Sequence, residues 1–296
     1  MAHVPPKLAS GSRVAVVAPA SGFPRDELFR GLAWLGGRYH LSARTDLLLR
    51  QGYLAGDDAR REHELSSAML DPDVAAIFCA RGGYGLTRIV DRLPWDAFAK
   101  SPKWIVGFSD VTALHLEAQR RGIASVHGPN VTGLGRTSPS ERASLLAILE
   151  RHVGPAFADL RVLHPGPSAK GSLVGGNLTL LGAEAAAGAL SVPEGAVLFL
   201  EDVTERPYRI DRTLTALLRG GHLARAAAVV FGGFTECVPG PDGVTIEEVL
   251  RERTAGLGVL CLAGLPVGHD ERNMPIPMGF CASASRDGGL SLNPSG

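Results

Sequence analysis

Ser109 has the setting that most suggests chemistry. It stands in Gly107-Phe108-Ser109-Asp110-Val111, between an apolar run from Trp104 to Gly107 that reads as a strand and a helical pattern from Val111. A serine at such a junction projects from a tight turn at the carboxyl end of a strand, where open α/β sheets bind ligands. The helix N-terminus beside it offers free N–H groups that can stabilise an oxyanion. The GxSxG elbow fails at its last position, which is Val111 rather than glycine, while the strand-turn-helix geometry behind the motif remains. Serine is equally a common N-cap, and on spacing alone both roles stand open.

A nucleophilic serine needs a base, and nine histidines compete for the role. His3, His40, His63, His152, His164 and His222 fall in polar, terminal or linker contexts that suit solvated side chains. His115 is six positions beyond Ser109 on the same helix, a spacing that puts the two on different faces. His127 and His269 remain, each after an apolar run and beside glycine, in Val126-His127-Gly128-Pro129 and Leu265-Pro266-Val267-Gly268-His269-Asp270. A third group must orient the base. Val197-Leu198-Phe199-Leu200-Glu201-Asp202 sets acids at the end of an apolar strand, where a carboxylate is costly to bury without a partner. For Glu201 that partner is either the base or one of the arginines that follow, Arg206 and Arg209.

Other chemistries are poorly served. There is no GxGxxG after a strand, no GxxxxGK[ST] and no HExxH, which leaves dinucleotide, Walker-type and zincin sites unsupported. Cys79, Cys237, Cys261 and Cys281 form no CxxC pair and have no histidine at ligand spacing, so no metal site is expected and all four read as small buried hydrophobes. The four lysines offer few candidates for Schiff-base chemistry. Thirty basic and thirty acidic side chains balance, so no bulk field draws the chain to nucleic acid or an anionic membrane. No apolar run approaches the ~18 residues of a membrane span. Val14 to Ala18, before Pro19-Ala20-Ser21, is too short for a signal-peptide core, and we read it as the first strand of a cytoplasmic protein.

The elements that must position these residues alternate. Strands are expected at Arg13 to Ala18, Val74 to Cys79, Trp104 to Gly107 and Ala124 to Val126. Helices are expected at Asp26 to Leu35, Asp57 to Leu70, from about Leu86, and Val111 to Arg121. Repeated βα units of this kind make a doubly wound, flavodoxin-like parallel sheet. Between Gly133 and Gly171 the pattern breaks into Pro, Gly and Ser clusters around one helical stretch, Glu141 to Arg151. The expected organisation is an N-terminal domain over 1–135, a linker over 136–170 and a smaller C-terminal α/β domain over 171–296. In the last, a helix follows Asn177, strands fall at Ala196 to Leu200, Ala226 to Phe231 and Val259 to Leu262, and helices at Tyr208 to Arg219 and Ile246 to Thr254. A hairpin around Asp287-Gly288-Gly289 ends the chain. Composition agrees with such an enzyme: 45% hydrophobic, 20% charged, and 37 glycines gathered at the ends of apolar runs.

Six blocks taken in order resemble one family. They are Arg81-Gly82-Gly83-Tyr84-Gly85, Gly107-Phe108-Ser109-Asp110, His127-Gly128-Pro129, Gly175-Gly176-Asn177-Leu178-Thr179, Leu200-Glu201-Asp202 with Arg206-Pro207-Tyr208-Arg209-Ile210-Asp211-Arg212, and Gly264-Leu265-Pro266-Val267-Gly268-His269. Together they are similar to the LD-carboxypeptidase family of serine peptidases, which includes murein tetrapeptide carboxypeptidases and microcin-immunity peptidases. The resemblance implies a triad of Ser109, Glu201 and His269, with the backbone N–H groups of Gly83 and Asp110 as oxyanion hole. It implies an active site in the interdomain cleft, no cofactor, a homodimer, and a murein tetrapeptide or related peptide as substrate. His127 then becomes a wall or substrate-side residue, and Phe108 departs from the family's more frequent tyrosine. The other readings are an immunity-type peptidase acting on a peptide-nucleotide antibiotic, and a non-catalytic ligand-binding protein with the same cleft.

Overall fold

The computed structural model describes residues 2–294. The first half supplies strands β1 (Arg13–Val17), β2 (His40–Ala43), β3 (Ala76–Cys79), β4 (Trp104–Gly107) and β5 (Ser125–His127). Its helices are α1 (Arg25–Gly36), α2 (Asp58–Leu70), α3 (Trp95–Phe98), α4 (Thr112–Arg120), α5 (Val131–Leu134) and α6 (Pro139–Arg151). The second half adds β6 (Ala156–Phe157), β7 (Arg161–His164), β8 (Ala169–Asn177), α7 (Leu178–Ala186), β9 (Ala196–Val203) and α8 (Pro207–Arg219). It continues with β10 (Ala226–Thr235), α9 (Ile246–Thr254), β11 (Leu260–Ala263), β12 (Ile276–Met278), β13 (Cys281–Ala284) and β14 (Leu290–Asn293).

One sheet has the order β12-β5-β4-β3-β1-β2, and its first five strands in sequence run parallel in the order 2-1-3-4-5 of the flavodoxin-like fold. Alternation along each strand feeds two cores, Val14, Val16, Phe78 and Val106 on one face and Ala15, Val17, Ile77 and Ile105 on the other. Both faces are covered, which is why these strands read as unbroken apolar runs. The other sheet has the order β6-β14-β13-β8-β9-β10-β11-β7, parallel from β8 to β11 and antiparallel outside them. Leu198 and Leu200 pack with α7, α8 and α9, while Val197 and Phe199 face Leu265, Val267 and β12.

Several expected elements differ. The stretch from Leu86 is two single 3₁₀ turns, Leu86–Arg88 and Val90–Arg92, before the short α3. Pro94 explains this: it disfavours the helical region for the residue before it, and Leu93 is extended at ψ 152°. β2 was not legible because it is a half-exposed edge strand without an apolar run. β12 carries Pro277, which an edge strand tolerates, and it returns across the molecule to pair with β5. Within 136–170 lie α6, with a full capping box from Ser138 and Glu141, and β6 and β7, which pair into the second sheet.

Candidate active site

The turn after β4 holds Ser109 at φ 67°, a left-handed conformation that a side-chain-bearing residue adopts only when its surroundings impose it. Three hydrogen bonds and one close approach do so. His115 Nε2 donates to the Gly107 carbonyl at 2.8 Å, which fixes the tautomer in which Nδ1 accepts from Ser125 Oγ at 2.8 Å. Phe108 N–H donates to Asn130 Oδ1 at 3.2 Å, and Gly128 N–H to the Gly107 carbonyl at 3.1 Å. Gly82 presses on the turn from the other side, where an added Cβ would lie 2.7 Å from Ser109 Cβ and 3.0 Å from its Oγ. Ser109 therefore caps nothing: the residue before α4 is Val111, and no side chain caps that end.

His269 Nδ1 donates to Glu201 Oε2 at 2.7 Å. Glu201 is fully buried while His269 is partly open, so the pair is held from behind and faces outward through Nε2. Strand alternation decides between the two acids. Glu201 continues the Val197 and Phe199 face, where the 265–269 loop lies, and Asp202 turns to the helix face. There Asp202 accepts from Asn177 Nδ2 at 3.0 Å, Val203 N at 2.9 Å, Thr179 N at 2.9 Å and Thr179 Oγ1 at 2.8 Å. The arginine reading of Glu201 is not met, since Arg206 donates to the Pro239 carbonyl and Arg209 pairs with Glu205. Gly268, at φ +136°, lets the loop pass the acid, because a Cβ there would sit 3.1 Å from Glu201 Oε2. Burial pushes the Glu201 carboxyl above the ordinary range, and the bond from His269 opposes the shift.

Ser109 and His269 line one cavity of about 470 Å³, with Gly83, Phe108, Arg81 and Arg136. A second cavity of about 340 Å³ adjoins it through Phe108, Gly133, Arg136 and His269. The structure thus brings Ser109, Glu201, His269 and Gly83 to one place, without a hydrogen bond between Ser109 and His269. Gly83 and Asp110 have amide N–H groups with no acceptor among the described residues. His127 is not a wall of the cleft. It is fully buried, both ring nitrogens lack partners among the described residues, and it packs behind Phe108, whose ring lies 4.8 Å from that of His269. Burial holds its imidazole well below the ordinary pKa.

Three positioning residues were not legible in the sequence: His115, Asn130 and Arg61. Arg61 lies in a run of polar helix residues that looks solvated, yet its side chain is buried. Its Nη1 donates to the Pro19 carbonyl at 2.6 Å and the Gly85 carbonyl at 2.8 Å, joining the loops after β1 and β3. The Asp110 carboxylate makes a similar tie, accepting from Leu86 N–H at 2.8 Å. Burial raises Asp110 to about 6, against the Leu86 bond and the field of Arg61. A carboxyl whose folded pKa exceeds its unfolded value stabilises the fold in acid and loses that contribution as the pH rises through about 6. Relative to Asp110→Asn, wild-type stability should therefore fall by up to about 3 kcal/mol between pH 4 and pH 7. Urea melts of both proteins across that range check this, and a constant difference refutes it.

Comparison with known proteins identifies the family. The family model described as the LD-carboxypeptidase N-terminal domain matches residues 14–128, and the one for the LD-carboxypeptidase C-terminal domain matches residues 170–283. The murein tetrapeptide carboxypeptidase of Pseudomonas aeruginosa is 36% identical over 284 residues, covering 91% of this chain and 92% of that one. The crystal structure of muramoyltetrapeptide carboxypeptidase from Oxalobacter formigenes matches with a TM-score of 0.86 at 28% identity, over 96% of this chain and 100% of that one. The microcin C7 self-immunity protein of Escherichia coli is 23% identical over 301 residues, 88% of this chain and 86% of that one. The chain belongs to the LD-carboxypeptidase family.

Proposed function

We propose that the protein is a serine carboxypeptidase that removes the terminal D-alanine of a murein tetrapeptide by cutting the bond between an L-centre and a D-centre. The observation that carries this reading is the buried Glu201–His269 pair opening on the cavity that holds Ser109 in a strained turn. His269 Nδ1 is committed to Glu201, so Nε2 is the free acceptor that takes the Ser109 proton. Ser109 Oγ then attacks the scissile carbonyl, and the N–H groups of Gly83 and Asp110 receive the oxyanion. Collapse breaks the C–N bond, with the proton passing from His269 to the leaving amine, and water attacks the acyl-enzyme by the same route. Substrate binding must close the Ser109–His269 gap, as apo catalytic hydrogen bonds commonly require.

The nucleophile comes from 1–135 and the acid-base pair from 171–296, so the two domains must meet for chemistry. We read the protein as a cytoplasmic homodimer acting in cell-wall recycling, a reading taken from the family; sedimentation of the purified chain tests the dimer. The higher identity to the Pseudomonas enzyme supports the murein substrate over a peptide-nucleotide antibiotic. Incubation with murein tetrapeptide followed by mass spectrometry should show loss of one alanine. An intact tetrapeptide, with cleavage of an aminoacyl-nucleotide instead, would transfer the protein to the immunity reading.

A further inference from the structure

Four titratable side chains line the cavity over Ser109: Glu27, Arg81, Arg136 and His269. Glu27 is already matched, since its Oε1 accepts from Arg136 Nη1 at 2.8 Å. Arg81 has no carboxylate partner among the described residues. Its Nη1 donates to the Gly22 carbonyl at 2.9 Å, which anchors one corner of the guanidinium to the loop after β1. With Glu27 and Arg136 cancelling, the cavity retains one formal positive charge, and Arg81 carries it.

The position suits a chain end. Arg81 directly precedes Gly82, the residue pressed against Ser109, and Gly83, whose N–H faces no acceptor. When a peptidase releases a single C-terminal residue, the carboxylate of that residue lies only two bonds beyond the scissile nitrogen. It must therefore enter the cavity that contains the nucleophile, and it needs a cation there. A guanidinium held at one corner keeps further N–H donors in a planar fork that matches a carboxylate.

We infer that Arg81 is the specificity residue that receives the terminal carboxylate of the substrate and so restricts the enzyme to end residues. This rests on Ser109 being the nucleophile, as proposed above. The test compares the tetrapeptide acid with the same peptide ending in a carboxamide, using the purified full chain. Wild type should prefer the acid by ~10–100-fold in kcat/KM, the range of a charge-assisted pair. Arg81→Gln should lower kcat/KM on the acid by a similar factor, mainly through KM, and bring the acid-to-amide ratio to within about three-fold of unity. Arg81→Lys should recover part of the preference.

An active Arg81→Gln enzyme that keeps the acid preference overturns the assignment, as does loss of the preference in Arg136→Gln alone. Product inhibition supplies an arm that needs no variant: free alanine should inhibit wild type ~10-fold or more better than alaninamide, and equal inhibition overturns the assignment. Failure of the underlying reading has a different signature, in which wild type cleaves neither peptide and a fluorophosphonate probe leaves Ser109 unlabelled.

Discussion

Ser109→Ala should lower kcat by ~10⁴ or more, measured on the purified variant with murein tetrapeptide, while the melting temperature stays within a few degrees of wild type. The structure explains why the loss should be confined to chemistry. Among the described residues Ser109 Oγ supports no hydrogen bond, and the turn is held by His115, Asn130 and Gly82, none of which contacts the lost oxygen as a partner. Alanine suffers the same left-handed backbone as serine at φ 67°. His269→Ala should approach the same rate, and the double variant should lose little more, because nucleophile and base act as one unit. A near-wild-type rate for Ser109→Ala would remove Ser109 from the mechanism. Multiplicative losses in the double variant would instead separate the two residues into independent roles.

Glu201→Gln and Asp202→Asn, adjacent and alike in chemistry, should fail in different ways. Glutamine at 201 keeps the volume and an acceptor for His269 Nδ1 but loses the charge that stabilises the imidazolium as it forms. A fall in kcat of ~10²–10⁴ is expected, with little change in melting temperature. Asp202 faces away from His269. Its two oxygens accept four hydrogen bonds, three of which tie the start of α7 to the end of β9. An asparagine there turns its amide NH2, a donor, toward existing donors and should cost ~1–3 kcal/mol, a shift of several degrees in melting temperature, with kcat largely kept. Thermal melts and steady-state rates on both variants check this. Should Asp202→Asn damage kcat more than Glu201→Gln, the wrong face of β9 has been assigned to the cleft.

The paired design of these experiments follows from where the information lies. The strand-turn-helix around Ser109 is a local pattern: an apolar run, a tight turn and a helix start occupy consecutive residues, and each is dictated by sterics and hydrogen bonding within a few positions. The same holds for the Asp57 cap of α2, the Asn177 cap of α7 and the closing hairpin. The doubly wound sheet was legible because its strands, buried on both faces, read as continuous apolar segments. β2 and β12 were not, since an edge strand buries too little to need a pattern.

By itself the sequence determined the α/β architecture, the position of Ser109 at a strand end, and a short set of bases and acids: His127 or His269, Glu201 or Asp202. Only the tertiary structure decided which of them come together. Val126 and His127 end an inner strand of the first sheet, and the packing of Phe108 and Phe199 seals His127 away with no polar partner among the described residues. His269 sits on a loop that Gly268 allows to pass over Glu201, a residue 68 positions away in the chain. Such choices depend on which face of a strand meets which loop after both sheets have formed. Alternation along a strand is a local property, but the side of the sheet that faces the cleft is set by contacts between residues far apart in sequence.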